Sequence, residues 1–444
     1  MSPAVVRDAG GPDARAPASK PPPSLRQVFV MVAGLTVFGS LSIDAYLPAW
    51  PELTEDFGAS ASQVQLTLTA FFVGFAVGHL VIGPISDILG RRRPLLVGIT
   101  LYALASLGCA LAPSVQALVG FRFLQGLFGA AGIVLARAVI RDYYSGVKAA
   151  KLLSFLMIIG GLTPILAPLL GGQILRFTSW RGIFVALAII TGLMFVKTAV
   201  SLRESLPPER RHGGGFRGLR PAVGLLVHDR VFVGYALALG CNQAAVFSYV
   251  AGSTFVLQEV YGLSAQAFSV AFAANALCQV IVAQTNGILI GRVPLRRMVG
   301  IGNAVALAGG LALLVVVLHG GLGLVAILPC MALVFTPMGL IGANSMALAM
   351  ADYPQVAGTA SALVGVVGFT MGSLAAPLVG IAGTDTAVPM AVLIAAFQFL
   401  SFCAFRILTR PAPAGQAEPE GAAQTAGALG LTHTTPLPRP ACRS

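Results

Sequence analysis

Long apolar segments separated by short polar connectors make up most of the chain between residues 28 and 408. Each segment is close to the ~20 residues that an α-helix needs to cross the ~30 Å hydrocarbon layer of a bilayer. The pattern therefore predicts an all-α integral membrane protein with twelve transmembrane helices. These predicted helices, called spans 1 to 12 below, cover residues 28–49, 63–85, 95–112, 115–139, 150–175, 181–201, 231–258, 265–290, 296–318, 322–349, 356–381 and 387–408.

A polar stretch at 203–230 divides the spans into two groups of six, which predicts a six-helix bundle at 26–202, a central loop and a second bundle at 231–408. Basic connectors follow span 2 and, more weakly, span 8, where the sequence is GRVPLRR. Charged connectors at matching places indicate an internal repeat with a site near the midplane between two pseudo-symmetric halves. The Pro/Ala/Gly-rich segments 1–25 and 409–444 are predicted to be disordered cytoplasmic tails, and the first lacks a signal-peptide pattern.

The composition excludes a soluble globular protein. Only 10% of the residues are charged, 56% are hydrophobic and the mean hydropathy is +0.85, whereas a typical soluble domain carries about a quarter charged residues. A chain with so little charge cannot cover a water-exposed surface, but a chain surrounded by lipid has no such requirement.

The distribution of basic residues predicts the orientation. If the N-terminus lies inside, the outer connectors receive Arg176 and Arg181, which stand among several acids, and nearly all other basic residues fall inside. This asymmetry follows the positive-inside rule and places both termini in the cytoplasm. The inner side then carries Arg91, Arg92, Arg93, Arg137, Arg141, Lys148, Lys151, Arg203, Arg210, Arg211, Arg217, Arg220, Arg230, Arg292, Arg296 and Arg297.

No motif for an enzyme, a metal site or a nucleotide site occurs in the sequence. The six cysteines show no CxxC spacing, and the five histidines are scattered, so neither disulfides nor a bound metal are predicted. A GxxxxGK[ST] loop is missing, which argues against drive by ATP. A membrane enzyme needs convergent catalytic groups and a sensor needs a folded soluble domain, so we predict neither.

Ionisable residues inside spans are costly and are functional candidates by default. Asp44 lies late in span 1 and Arg122 in the outer half of span 4, so the two residues can reach a similar depth. A carboxyl group shielded from water binds a proton more readily, and a nearby arginine opposes this effect. We therefore predict that Asp44 and Arg122 couple a proton to a shape change. The alternative is that Asp44 is hydrated near the outer surface and caps a helix or forms a structural pair. For His79 in span 2, a polar contact between helices is an equally good explanation.

The twelve spans, the long central loop and the stretch GPISDILGRRRP at 83–94 resemble the major facilitator superfamily. LVGFRFLQGLFGAAG resembles the helix 4 signature of that family, with Arg122 as its arginine. TPILAPLLGGQI at 163–174 resembles the helix 5 signature of antiporters, although Thr163 and Ala167 replace commoner glycines. SIDAYLPAWPEL, RDYY, LPPERR and GTASAL resemble the Bcr/CflA branch, which is named for resistance to bicyclomycin and chloramphenicol.

The resemblance implies a conformational latch on the cytoplasmic side. It pairs Asp87 and Arg91 with Asp142, so that the cluster would hold the N-terminal half to the other half while the protein faces outward, and a bistable ionic contact can act as a gate. Gly83, Pro84 and Gly90 are expected to permit the turn between spans 2 and 3. The alternative is that the connector's arginines fix topology and bind anionic lipid headgroups. The predicted latch residues are Gly83, Asp87, Gly90, Arg91, Arg92 and Asp142.

The resemblance also implies a central cavity lined by helices 1, 4, 7 and 10, with broad, weakly discriminating apolar walls. The predicted substrate-binding residues are Phe38, Asp44, Tyr46, Asn242, Gln243, Phe247 and Asn344. In span 5, Pro164 and Pro168 are predicted to bend the helix, and Gly171 and Gly172 to form a hinge or a seal. Simple packing glycines would explain the same pattern.

The expected function is proton-coupled efflux of antibiotics or other small amphiphiles across a bacterial cytoplasmic membrane by alternating access. Export of an amino acid or natural product, or proton-coupled uptake, remains an alternative. No cofactor is expected, because the proton gradient drives transport. The expected partners are a small-molecule substrate, protons and the lipid bilayer, with no nucleic acid, and the expected oligomeric state is a monomer.

Overall fold

A computed structural model describes residues 25–144, 146–207, 211, 219–320, 323–381, 383 and 386–410, and within these residues the chain is helical with no β-strand. Most of both predicted tails lies outside the described residues. The helices of the first half are Leu25–Asp44, Trp50–Phe57, Ala61–Leu89, Arg92–Ala110, Val115–Tyr143, Gly146–Ile174 and Trp180–Ser201. Those that follow are Leu219–His228, Arg230–Phe255, Ala265–Leu289, Leu295–His319, Gly323–Phe335, Met338–Met350, Ala357–Ile381 and Val388–Leu408.

Each of the twelve predicted spans coincides with a helix or with two helices in line. Eleven of the spans in the described part are long and apolar enough to cross a membrane. Span 5 lies in the 29-residue helix Gly146–Ile174, in which the stretch Ile158–Ile174 is apolar. The prediction of a helical membrane protein with two six-helix halves is confirmed.

Two spans contain a break that hydropathy did not predict. In span 1 the α-helix ends at Asp44, a 3₁₀ turn covers Leu47–Ala49, and a second helix begins at Trp50. Prolines at positions 48 and 51 explain the break, because proline lacks an N–H donor and disfavours α geometry in the residue before it. Span 10 is divided in the same way between Phe335 and Met338.

Span 2 extends further at its C-terminal end than the apolar pattern indicated. A capping box between Ser60 and Gln63 begins the helix, and the helix continues through Pro84 to Leu89. The turn into span 3 is made at Gly90, whose φ of +88° suits glycine. The expectation that Gly83 and Pro84 form part of the turn is wrong, because one interior proline removes only one helical hydrogen bond and the apolar stretch continues beyond it.

The two halves repeat the same helix packing. Span 1 packs on spans 4, 5 and 6, and span 7 packs on spans 10, 11 and 12 in the same way. Span 3 likewise packs on spans 4 and 6, and span 9 on spans 10 and 12. The halves meet through spans 2 and 11 and through spans 5 and 8, which are equivalent pairs under the repeat. This packing agrees with the internal repeat predicted from the two basic connectors.

The contact between the halves is closed at the outer end, meaning the end where spans 2 and 8 begin. Four hydrogen bonds join the two six-helix halves in the described part of the chain, and all four lie toward this outer end. They are Ser62 Oγ to Pro377 O at 3.4 Å, Gln65 Nε2 to Ala251 O at 3.3 Å, Thr69 Oγ1 to Ser373 O at 2.7 Å, and Gln266 Nε2 to Gly172 O at 3.0 Å. The structure is therefore a state in which the halves are closed at that end.

Asp229, the residue before span 7, makes two hydrogen bonds at the end of the second half where that span begins. Its Oδ1 accepts a bond from the Val231 N–H at 2.8 Å, and its Oδ2 accepts one from the Tyr353 hydroxyl at 2.8 Å. Burial and the neighbouring Asp229 carboxylate raise the pKa of Tyr353 above its ordinary value. The phenol therefore keeps its proton at physiological pH and remains a hydrogen-bond donor that ties span 7 to the connector after span 10.

Candidate functional site: a central aromatic cavity

A cavity of about 310 Å³ lies between the two halves, near the middle of the bundle. It receives side chains from spans 1, 2, 4 and 5 of the first half and from spans 7, 8, 10 and 11 of the second. Three of the predicted substrate-binding residues line it, namely Asp44, Gln243 and Phe247. Its size falls at the lower end of the range for sites of drug-sized ligands, ~300–1,000 Å³.

Asp44 is the carboxylate of this cavity. Its side chain is 7% exposed and lies at the last residue of the first helix of span 1. No residue in the described part of the chain forms a hydrogen bond or an ion pair with its carboxylate. The remaining polar lining comes from two amides, Gln243 and Gln279. A lone carboxyl group facing an apolar cavity is costly as an ion, and such groups in membrane proteins usually serve transport.

Phenylalanines form the walls of the cavity, and most of them were missed by the sequence analysis. The ring of Phe72 lies 4.4 Å from that of Phe247 and 5.8 Å from that of Phe369, centre to centre. The ring of Phe75 is also 5.8 Å from that of Phe369. These contacts cross between the halves, so the aromatic cluster both lines the cavity and closes it toward the outer end. Phe272 and Phe335 add two further rings from spans 8 and 10.

The other four predicted binding residues lie outside the cavity lining. Two amides join helices within the second half, since Asn242 Nδ2 donates to Gln398 Oε1 at 3.1 Å and Asn344 Nδ2 to Asn286 Oδ1 at 2.6 Å. Such interhelical amide bonds are the usual use of asparagine in membrane helices. The Phe38 ring stacks on Tyr102 at 5.7 Å. The Tyr46 hydroxyl shares a 3.0 Å hydrogen bond with Thr67.

Arg122 is completely buried inside the first half. Its guanidinium carbon lies 4.4 Å from the ring centre of Tyr46, 4.5 Å from that of Phe71 and 5.8 Å from that of Phe184. Its Nη1 donates to Gln125 Oε1 at 2.6 Å, while Nε and Nη2 have no hydrogen-bond partner. Ring faces stabilise a desolvated cation, so the aromatic box replaces a counter-ion.

Asp44 and Arg122 do not form an ion pair in this state, as the four ion pairs of the described residues involve other groups. Tyr46, two residues after Asp44, instead contacts the guanidinium. The broken segment of span 1, which carries both Asp44 and Tyr46, thus lies between the carboxylate and the arginine. The half-buried ring of His79 packs against Phe75, and its Nδ1 forms a 3.0 Å hydrogen bond with the Phe75 carbonyl oxygen.

Asp87, Arg91 and Asp142 form a charge cluster at the end of the first half where span 2 ends and span 3 begins. Arg91 lies 2.5 Å from Asp87 (Nη1 to Oδ1) and 3.2 Å from Asp142 (Nε to Oδ2). Arg91 Nη1 also donates to Ser86 Oγ at 2.5 Å. All described partners of the cluster belong to the first half or to the central loop, and none comes from 231–408. This arrangement accords with a state closed on the outer side.

Glu204 of the central loop was missed as a member of this cluster. Its carboxylate accepts the backbone N–H groups of Arg91 at 2.6 Å and Arg92 at 3.3 Å. An acid at this position satisfies free N–H groups and complements the positive end of the span 3 helix. Arg92 is held in turn by the last turn of span 6, donating to Leu202 O at 2.8 Å and to Ala199 O at 2.9 Å.

The two glycines of span 5 face different helices. A side chain at Gly171 would collide with the backbone carbonyl of Ala45, in the same half. A Cβ at Gly172 would lie 2.6 Å from the Ser269 hydroxyl, in the other half. Pro164 and Pro168 lie inside the same helix, and Pro164 lines the cavity. Span 5 thus touches both the break in span 1 and the opposite half.

Comparison with known proteins agrees with this architecture. A family model described as Major Facilitator Superfamily matches residues 32–377. An uncharacterized MFS-type transporter YdgK of Bacillus subtilis is 40% identical over 382 residues, covering 85% of this chain and 94% of that protein. A bicyclomycin resistance protein homolog of Haemophilus influenzae is 30% identical, covering 86% and 96%. A chloramphenicol resistance protein of Pseudomonas aeruginosa is 29% identical, covering 83% and 87%.

Solved structures of transporters share the fold at low sequence identity. The nucleoside transporter NupG aligns with a TM-score of 0.73 at 11% identity, covering 87% of this chain and 100% of that one. A bacterial homolog of the lysosomal transporter Spinster, solved facing inward and unoccupied, aligns with a TM-score of 0.70 at 15% identity, covering 88% and 98%. The family match and the drug-resistance relatives confirm the resemblance stated from the sequence motifs: the chain belongs to the Major Facilitator Superfamily of membrane transporters, in its Bcr/CflA-type branch.

Proposed function

We propose that this transporter exports antibiotics or similar small amphiphiles in exchange for protons. The observation that carries the proposal is the central cavity, in which a lone carboxyl group, Asp44, faces walls made mainly of phenylalanine. Aromatic walls with few polar anchors bind amphiphiles of varied shape. The names of the bicyclomycin and chloramphenicol resistance relatives support drugs as the substrate class.

Proton exchange follows from the position of Asp44. Without a described cationic partner, its carboxylate is uncompensated when the cavity is empty, and a proton removes that cost. A bound substrate competes for the same space, so that proton and substrate occupy the cavity in turn. Protons enter from outside and leave inside, which drives the substrate in the opposite direction. The break in span 1 and the contact of Gly171 with Ala45 supply a route from the carboxyl group to the movement of span 5.

We further propose that the Arg91 cluster acts as a latch in the alternate state and that both termini lie in the cytoplasm. In that orientation the cavity seen here is sealed toward the outside by the Phe72, Phe247 and Phe369 rings. Rocking to the outward-facing state brings the cytoplasmic ends of the halves together, which places Asp87, Arg91 and Asp142 at the new contact. In the bacterial setting of the relatives this membrane is the cytoplasmic membrane.

The test is substrate flux in proteoliposomes with an imposed pH gradient. A panel including chloramphenicol and bicyclomycin is added outside vesicles with an acidic lumen, and both the accumulation of each compound and the luminal pH are followed. The wild-type protein is expected to accumulate substrates and to make the lumen less acidic. Asp44→Asn is expected to lose the accumulation driven by the gradient, while downhill exchange of substrate without a gradient persists.

Asp352→Asn is the matched control, because Asp352 is exposed in the connector between spans 10 and 11 and lies away from the cavity. It is expected to transport like the wild type. Gradient-driven accumulation by Asp44→Asn at the wild-type rate would remove Asp44 as the coupling group. Accumulation of solutes only from an acidic exterior would show uptake, and movement of amino acids but of no drug would favour metabolite export.

A further inference from the structure

A groove of about 730 Å³ lies at the cytoplasmic ends of spans 9 and 12, on the outside of the second half. Four arginines line it, two from the start of span 9 (Arg296 and Arg297) and two from the end of span 12 (Arg406 and Arg410). No acidic residue is part of the lining, and none of the four forms an ion pair with a described residue. This groove is far from the central cavity and takes no part in the function proposed above.

The equivalent place in the first half is filled by the protein itself. There Arg92 donates two hydrogen bonds to the last turn of span 6, and Asp87, Asp142 and Glu204 supply carboxylates to the connector. The connector GRVPLRR of the second half has no acid, and Gly291 lies five residues before Arg296, as Asp87 lies five before Arg92. In this register Arg92 and Arg93 correspond to Arg296 and Arg297, while Leu295 stands where the first half has Arg91. The second half thus has two of the three arginines and none of the acids, so the groove between spans 9 and 12 is open and positive.

The walls of the groove combine these charges with apolar surface. The guanidinium of Arg296 lies 5.9 Å from the centre of the Phe405 ring, and that of Arg406 lies 5.7 Å from the centre of the Phe402 ring. Both rings belong to span 12, and they contact one arginine from each wall without using its N–H donors. Further along span 9 the lining continues with the exposed apolar residues Ile301 and Ala304. The groove therefore offers cations at the membrane surface and hydrocarbon below them.

We propose that this groove binds an anionic phospholipid, with the headgroup phosphates on the four arginines and an acyl chain against Ile301 and Ala304. Arginine matches phosphate oxygens with paired N–H donors, and basic pockets between membrane helices on the cytoplasmic side suit acidic headgroups. Arginines on two facing walls fit a headgroup with two phosphates better than one with a single phosphate. Cardiolipin is therefore the preferred occupant, and phosphatidylglycerol the weaker one.

The test is native mass spectrometry of the full chain in detergent, titrated with cardiolipin, phosphatidylglycerol or phosphatidylethanolamine. The wild type is expected to bind cardiolipin most tightly and to discriminate against phosphatidylethanolamine. Two separate double variants, Arg296→Gln/Arg297→Gln and Arg406→Gln/Arg410→Gln, remove charge from opposite walls. Each is expected to weaken cardiolipin binding by about tenfold or more, as expected for two arginines at a charged lipid surface.

Arg93→Gln/Arg292→Gln is the matched control, since both residues are exposed on the same side of the bundle and neither lines the groove. It is expected to bind cardiolipin like the wild type. Thermal melting without added lipid verifies that all variants fold. Cardiolipin binding that survives in both groove variants, or that falls equally in the control, overturns the proposal. Equal occupancy by phosphatidylethanolamine, or equal thermal stabilisation by inorganic phosphate, also overturns it.

Discussion

Replacing either of the adjacent glycines of span 5, Gly171 or Gly172, with alanine is predicted to have a different effect on the protein. At Gly172 the new methyl group meets the Ser269 side chain of the opposite half at 2.6 Å, where ordinary contact needs at least 3.4 Å. The Ser269 hydroxyl must leave its 2.7 Å bond to the Ala265 carbonyl to make room. That loss, with the residual crowding, costs about 1–2 kcal/mol. The cost arises only where spans 5 and 8 touch, which is in the state closed on the outer side.

The expected result for Gly172→Ala is a shift toward the outward-open state by a factor of roughly 5–30. At Gly171 the methyl group meets the carbonyl of Ala45 instead. Backbone cannot rotate away as a side chain does, and both helices belong to one half, so the strain is present in every state. Gly171→Ala is therefore expected to lower the thermal unfolding midpoint without favouring either state.

Spin labels at the exposed outer ends of spans 3 and 9, at Leu111 and His319, report the separation of the halves. In a cysteine-free background, pulsed electron resonance is expected to show a longer distance population for Gly172→Ala and an unchanged distribution for Gly171→Ala. Gly160→Ala is the control, because nothing lies within 4 Å of a Cβ built at that position on the same helix. Identical behaviour of the two adjacent variants in both assays would refute the assignment of each glycine to a separate interface.

Two further predictions concern charged side chains of the first half and the central loop. Glu204→Gln is expected to lower the thermal unfolding midpoint, because a neutral amide accepts the hydrogen bonds of the Arg91 and Arg92 N–H groups less strongly than a carboxylate, at a cost of about 1 kcal/mol. The control is Glu55→Gln, at an exposed position. Equal midpoints for the two variants would contradict the prediction. Arg122→Lys is expected to fold but to lose most proton-driven transport, because an ammonium group cannot lie flat against three rings as a guanidinium does. Transport at the wild-type rate by this variant would show that the stacked guanidinium is not required.

Hydropathy predicted every span, because a helix must satisfy its own backbone inside lipid and needs a fixed apolar length to do so. The breaks in spans 1 and 10 escaped this reasoning, since the mean hydropathy of a window does not change where a helix is interrupted. The break after Asp44 matters most, because it sets the orientation of the carboxyl group and of Tyr46. Prolines at 48 and 51 were the available signal.

The cavity was predicted only in part, for a geometrical reason. Asn242 and Gln243 are neighbours on one helix and point about 100° apart, so that one bonds to Gln398 in span 12 while the other faces the cavity. Sequence alone does not fix this rotation. Phe72 and Phe369 were missed because a phenylalanine in an apolar helix looks the same whether it faces lipid, a neighbouring helix or a binding site.

The two six-helix halves have different roles, and these roles follow from the places where the halves differ. Equivalent helix pairs pack alike in both, and this symmetry supplies two rigid bodies and two equivalent contacts between them. The chemistry lies in the departures from symmetry: a carboxyl group at the break of span 1, and a connector in which Arg91 is paired with Asp87 and Asp142, while the arginines of GRVPLRR remain without acids. In the proposed mechanism the latch and the proton-binding carboxyl group lie in the same half, so the first half is the one whose charge state changes during transport. The second half provides four of the six phenylalanines that line the cavity.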